Sequence, residues 1–198
     1  SLHDALPIYD DDDDAVPVKK TAKKVVDPDD GGAALAAAMA QIDQIRQVIA
    51  GPGIFSIQLN VTTAHDPHNE LRLQRFYASP MAARRWPVNG TKRKTFTPWT
   101  ETLFLRGQPF VAAGEEAMAH AFDDFDQMKA LGINAVVNVP LLQNNLCYAT
   151  FNVFGMHGAW SPYQVLCLRL LALSAARWVP HAPDLMYSFD DALVFKGA

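Results

Sequence analysis

Two apolar runs, INAVVNVPLL over 133–142 and LCYATFNVF over 146–154, are separated only by Gln143-Asn144-Asn145. A connection this short cannot carry a crossover, so the runs must pair as antiparallel strands. Asparagine tolerates positive φ better than most residues, and Asn144-Asn145 predicts a primed two-residue turn. That turn places Asn138 opposite residues 150–151 and close to Asn152. A buried amide must find hydrogen-bond partners. Asn138 and Asn152 therefore read either as satisfied structural amides or as two walls of one cavity shared with Thr150 and Tyr148.

Other segments extend the pattern. The run AALAAAMAQIDQIRQVIA over 33–50 keeps Leu35, Met39, Ile42, Ile45 and Ile49 at helical spacing, and Gly-Pro-Gly at 51–53 ends it. In IFSIQLNV, Phe55, Ile57, Leu59 and Val61 alternate with polar residues, as in a half-buried strand. ELRLQRFYAS over 70–79 is a second strand, joined to it by the TAHDPHN turn. Residues 80–97 read as irregular and basic. A short helix follows, with Thr97 as N-cap, Pro98 in the first turn and Gly107 as its stop. PFVA over 109–112 is a short strand, and EEAMAHAF and DDFDQMKALG carry helical spacing. Ser161-Pro162 opens a long helix. The last stretch, from Ala182, shows no assignable pattern. Tight turns between consecutive strands, with helices interspersed, predict an α+β fold built on a mainly antiparallel sheet.

Charge separates an N-terminal tail from the rest. Residues 1–32 hold nine Asp and four Lys, whereas 33–198 hold 12 acidic and 13 basic residues. A run of five Asp beside KKTAKK lacks the apolar surface that offsets chain entropy, so 1–32 is expected to be a disordered tail. Ser1 to Ile8 also read as the translation of a sequencing adapter, TCCCTACACGACGCTCTTCCGATCT, and are set aside from fold reasoning. The domain is expected over 33–180, with 181–198 as a C-terminal extension. Two cysteines, Cys147 and Cys167, are too few for a disulfide scaffold and suit a reducing cytoplasm. No apolar run is long enough to span a membrane.

A family resemblance enters through the hairpin. VVNVPLLQNNLCYATFNVFGMHGAWSPYQVLCLRLLALSAARWV resembles the C-terminal half of a GAF domain. It has a strand ending V-x-x-P-L with Pro140 and a tight turn at Asn144-Asn145. A second strand carries Ala149, where the family usually has Gly, and Ser161-Pro162 opens the terminal helix. Farther back, RFYASPMAARRWPVNGTKRKTFTPW and PFVAAGEEAMAHAF are similar to a bacterial subset of the family with R-x-Y-S/T, Y-P-V-x-G and T-P-W segments. The resemblance implies a GAF/PAS-like antiparallel sheet of about six strands with helices packed on it. It also implies a small-molecule pocket between the sheet and its covering loops, and a sensory or dimerising role. It does not carry the N-K-x-F motif of the cyclic-nucleotide class. It lacks the adjacent Cys and His of the bilin class and the cysteine set of the methionine sulfoxide reductases.

Candidate ligand residues cluster by charge. Arg72, Arg75, Arg84, Arg85, Lys92, Arg93 and Lys94 are interleaved with Tyr77, Trp86, Phe96 and Trp99, and no acid occurs between Leu71 and Thr100. Cations on aromatic walls suit an anionic, partly apolar small molecule. Arg75, Tyr77, Trp86, Trp99, Asn138, Thr150 and Asn152 are the expected ligand-binding residues. Trp99 reads equally as a core anchor, and Arg84, Arg85 and Lys92–Lys94 as a solvated face. His65 and His68 flank Asp66 without a third metal ligand and read as turn residues. No nucleophile motif, phosphate loop or cofactor signature is present, so no catalytic residue, metal or cofactor is expected. A near-neutral core disfavours nucleic acid. The expected function is a sensor for a small-molecule ligand, working as a homodimer through helices 33–50 and 161–179. The alternative is a dimerisation or interaction module without ligand.

Overall fold

A computed structural model describes residues 28–190 of the 198-residue chain. Asn144 and Asn145 adopt φ of 51° and 65°, the left-handed pair that a primed turn requires. They join β5 (Ala135–Gln143) to β6 (Leu146–Gly155). With β1 (Gly53–Asn60), β2 (Leu71–Ala78), β3 (Thr91–Lys94) and β4 (Phe110–Ala113), the described residues form one six-stranded sheet in the order β3-β2-β1-β6-β5-β4. Every pairing is antiparallel.

Two bulges set which side chains face which way. Leu141 pairs with Ala149 but Leu142 pairs with Cys147, so Tyr148 is an extra residue in β6. Asn138 consequently faces Asn152 and not 150–151. Between β1 and β2, Ile57 pairs with Tyr77 and Gln58 with Arg75, leaving Phe76 as the extra residue. This bulge puts Arg75 and Tyr77 on opposite faces, although two residues apart in a regular strand they would share one.

One face packs under α1 (Pro28–Ala50) and α6 (Pro162–Ala176). Met39 and Ile42 of α1 and Leu168, Leu171 and Ala172 of α6 meet Phe55, Ile57, Val137, Val139, Phe151 and Val153 of the sheet. Ser161 caps α6 by accepting the Gln164 amide N–H, and the Gln164 side chain returns the bond, the reciprocal box that satisfies two first-turn donors. Helix α1 starts earlier than expected and runs through Gly31-Gly32. Proline suits a first turn, and the alanine-rich run beyond the glycines outweighs their cost of about 1 kcal/mol each. The expected disordered tail is thus corrected over 28–32, while residues 1–27 lie outside the described residues.

The other face is covered by short elements: α2 (Pro80–Ala83), α3 (Pro98–Thr100) running into a π-helical turn (Glu101–Leu105), α4 (Glu115–Ala121) and α5 (Phe125–Lys129). Thr97 and Thr100 form a reciprocal cap on α3. The segment 80–97 is not irregular throughout, because α2 and the edge strand β3 lie inside it. TKRK carries no apolar alternation, and pairing with β2, not side-chain burial, makes it a strand.

Beyond Ala182 the chain passes from the helix-side core, where Leu185 packs, to this face, where Tyr187 and Phe189 pack. Met186 donates its amide to the Thr62 carbonyl at 3.0 Å. The Tyr187 hydroxyl donates to the Phe104 carbonyl at 2.9 Å and accepts the Cys147 amide at 2.7 Å. Phe189 packs against Phe96 with ring centroids 5.4 Å apart. Within the expected extension only Phe189 is buried and Tyr187 half-buried, the two residues that pack on this face, and residues 191–198 lie outside the described residues.

Candidate functional site

Alternation along β1 sends Phe55 and Ile57 to the helix side and Ile54, Ser56 and Gln58 to the other. Ser56 stands opposite Asn152, which stands opposite Asn138, and Gln58 stands opposite Arg75. The result is a polar row across the middle of the sheet. Lys92 and Lys94 of β3 extend it toward the edge. Trp86, Trp99, Phe122, Asp124 and Met128, from the covering elements, close over the row. The cavity, partly open to solvent, measures about 80 Å³.

Hydrogen bonds fix the floor. Trp99 Nε1 donates to Asn138 Oδ1 at 2.9 Å, and Asn138 Nδ2 donates to Asn152 Oδ1 at 2.7 Å. Asn152 Nδ2 then donates to the Thr150 carbonyl at 3.2 Å and to its hydroxyl at 3.1 Å. Asn138 and Asn152 are 1% and 3% exposed, so each bond removes a desolvation cost that would otherwise remain. The chain also pins the Trp99 ring as one wall. Trp99 is therefore both a core anchor and a cavity wall.

The rim is electropositive. Arg75 Nη1 donates to the Pro87 carbonyl at 3.3 Å, Lys92 pairs with Asp124 Oδ2 at 3.1 Å, and the Lys94 ammonium lies 5.5 Å from the Trp99 ring centroid. Burial pushes the Arg75 guanidinium below its ordinary value, with Asp124 acting against the shift. Burial, and then the charge of Lys92, push Lys94 down. Both groups would be restored by an anion between them. Asp124 Oδ1 is buried and has no hydrogen-bond partner among the described residues.

Of the seven expected ligand residues, Arg75, Trp86, Trp99, Asn138 and Asn152 line the cavity. Thr150 is engaged with the Asn152 amide and is not among the lining residues. Tyr77 is misplaced by the expectation. The bulge turns it to the helix side, where its ring centroid lies 5.3 Å from that of Phe55, and burial raises its hydroxyl. Tyr148 also packs on the helix side, stacked on His181 at 3.7 Å. Sequence reasoning missed Ser56, Gln58 and Asp124. Alternation in IFSIQLN is enough to find the first two. Asp124 reaches the site only through the fold.

The basic stretch divides. Arg85 donates to Gln127 at 3.0 Å, and Arg93 pairs with Glu70 at 3.2 Å. In the HDPH turn, Asp66 accepts from Arg72 Nε at 3.0 Å and from the Thr63 amide at 2.9 Å, which hold its carboxyl down at about 2. His68 Nε2 meets Asp190 Oδ1 at 2.6 Å. Among the described residues no three His, Cys, Asp or Glu side chains gather as a metal set. None of their helices is long and apolar enough to cross a membrane. Cys147 is buried, its thiol donating to the Ala149 carbonyl at 3.2 Å and pushed up by burial. Neither it nor Cys167 on α6 lines the cavity.

No protein-family model and no curated protein matches the sequence. Solved structures do. The GAF domain of a two-component sensor histidine kinase from Bacillus halodurans aligns with a TM-score of 0.54 at 12% identity, covering 73% of this chain and 92% of that one. The GAF domain region of a putative membrane protein from Geobacter sulfurreducens gives 0.53 at 16% identity, over 75% and 94%. The blue-light absorbing form of the PixJ GAF domain from Thermosynechococcus elongatus gives 0.51 at 10% identity, over 74% and 85%. This chain therefore has the GAF fold: an α+β architecture with a six-stranded antiparallel sheet.

Proposed function

We propose that this is a sensory domain that binds a small anionic, partly apolar molecule in the cavity between the sheet and its covering elements, and that it binds without turning the molecule over. The observation that carries the reading is a buried polar row beneath a cationic rim. A protein whose aim is stability alone gains more from apolar residues at these positions. Aromatic and aliphatic walls supply the apolar contact, and Arg75 and Lys94 the attraction for an acid group. The sensor histidine kinase among the fold neighbours is consistent with a sensory role.

Cavity size narrows the ligand. A cavity of about 150 Å³ holds benzene. The 80 Å³ here, partly open to solvent, suits an acid end of on the order of five non-hydrogen atoms held inside. Two free thiols fit a reducing compartment, and the cytoplasm is the proposed setting.

A thermal-shift screen of the full chain with small carboxylates tests this. A ligand at a hundred times its dissociation constant stabilises by about 2.7 kcal/mol, a shift of several degrees for a domain of this size. Arg75→Ala should abolish the shift while leaving the unliganded melting temperature nearly unchanged. A shift that survives Arg75→Ala overturns the assignment.

A second reading has its own observation. Tyr163, Leu166, Leu170 and Leu173 form an exposed apolar stripe on the face of α6 opposite its buried residues, and Ile45 and Val48 of α1 are also exposed. We infer that α1 and α6 can join two copies. Sedimentation should show a dimer that Leu170→Glu dissociates, and a monomer at high concentration rejects this reading.

A further inference from the structure

The polar groups on the floor of the cavity are not all spent. Asn138 and Asn152 are taken up by Trp99, by each other and by Thr150. Ser56 lines the same cavity and is only 6% exposed, yet its hydroxyl makes no hydrogen bond among the described residues. Its cross-strand partner Asn152 sends its amide to Thr150 instead. Unlike Asp124 Oδ1, the Ser56 hydroxyl is not shut off from the cavity. The Gln58 side chain is also without a partner among the described residues, but Gln58 stands beside Arg75 in register and belongs to the cationic end. Ser56 lies two residues further along the same face, where its register partners are Ala78 and Asn152, neither of them charged. A buried hydroxyl left unpaired costs free energy and calls for a partner.

We propose that Ser56 is the residue that selects the ligand, and that it does so by bonding to a neutral polar group, a hydroxyl or a carbonyl, carried in addition to the acid. The inference rests on the cavity being the ligand site proposed above. A serine hydroxyl donates one bond and accepts others, so a hydroxyl or a carbonyl satisfies it equally. A second charge at this place would be desolvated with no counter-ion beside it. A methyl group seated against Ser56 would cut the hydroxyl off from water and leave it unpaired, which costs more than a typical bond gains. A site with such a group rejects the analogue that lacks the bond. Ile54, Phe122 and Met128 give the carbon chain its apolar contact, and Ser56 makes a plain fatty acid the wrong ligand.

Paired probes keep size constant and exchange only a terminal methyl for a hydroxyl: propionate with glycolate, butyrate with 3-hydroxypropionate, and pentanoate with 4-hydroxybutyrate. The hydroxyl moves away from the acid through the series, so the pair that responds reports how far Ser56 stands from the acid group. Calorimetric titration of the full chain should show the hydroxy acid of at least one pair binding roughly tenfold more tightly than its methyl partner. Ser56→Ala should act on that pair in opposite directions. The hydroxy acid should weaken, and the methyl acid should tighten, because alanine has no hydroxyl to leave unpaired. A purely structural role for Ser56 would move both in the same direction, and that outcome overturns the proposal. So does equal affinity within every pair, with binding lost in Arg75→Ala, which leaves the cavity reading standing. Binding of no probe, or binding indifferent to Arg75→Ala, removes the cavity reading and the inference with it.

Discussion

On the helix side of the sheet, Phe55, Ile57, Val137, Val139, Phe151 and Val153 form an apolar set packed against α1 and α6, and the polar groups buried nearby on α1, Arg46 and Asp43, are paired with each other. On the opposite side, their chain neighbours are Ser56, Gln58, Asn138, Thr150 and Asn152. The same strands build both faces, and the alternation of side chains keeps the two sets apart. Burial of the first set removes apolar area from water at about 25 cal/mol per Å². Burial of the second set costs free energy unless every group finds a partner. The helix side holds the fold together, and the stability it supplies lets the other side keep a polar interior with a shape.

The sharpest way to break this contrast is to truncate one residue on each face. Phe151→Ala should destabilise the protein by about 3–5 kcal/mol in urea denaturation, whereas Ser56→Ala should change stability by less than about 1 kcal/mol. Similar losses at the two positions would mean that the faces are not specialised. Asn138→Ala comes next. It leaves Trp99 Nε1 and Asn152 Oδ1 without partners, at a cost of about 2 kcal/mol. Tryptophan fluorescence should shift as the ring loses its anchor, and an unchanged spectrum would argue that packing alone holds Trp99.

The smallest effect lies on neither face. Asp66, in the loop between β1 and β2, titrates at about 2 instead of the ordinary 3.8, chiefly because Arg72 bonds to it. A depressed folded value means that its stabilisation is complete above about pH 4 and fades as the pH falls toward 2. Asp66→Asn should remove that part of the acid limb while leaving ligand affinity unchanged. A loss of affinity would tie this loop to the cavity.

Legibility followed the range of the forces involved. The Asn144-Asn145 turn, the Ser161 cap and the alternation in IFSIQLN are local, and each appeared where its residues predicted it, except that β1, expected to be half-buried, is covered on both faces, with Ser56 and Asn60 buried. Strand β3 was hidden because an edge strand of TKRK is specified by its neighbour and not by its own pattern. Tyr77 was assigned to the wrong face because a one-residue bulge is not written in the alternation it interrupts. The cationic stretch looked like one patch, yet Asp124, Glu70 and Gln127, brought in by the fold, take up part of it. Arg75, Trp86 and Trp99 stand out in the sequence because cations and aromatics are interleaved there, and Arg75 also because its strand resembles the family motif, whereas Asp124 carries no local sign of its place in the cavity.

The order β3-β2-β1-β6-β5-β4 makes the sheet two three-stranded units joined along a single ladder, β1 with β6. That ladder pairs Gly53 with Gly155 and Leu59 with Ala149, partners some ninety to a hundred positions apart in the chain. At one end it is so close that a Cβ on Gly53 would lie 2.0 Å from the Phe154 carbonyl oxygen. A hairpin such as β5–β6 forms in microseconds, whereas the ladder must wait for closure of a long loop. The cavity straddles this join, with Ser56 from one unit and Asn152 from the other. Its polar floor is therefore assembled only when the two halves of the chain meet, which makes a competent site a late event in folding. In pulsed hydrogen exchange, amides between β5 and β6 should gain protection before those between β1 and β6.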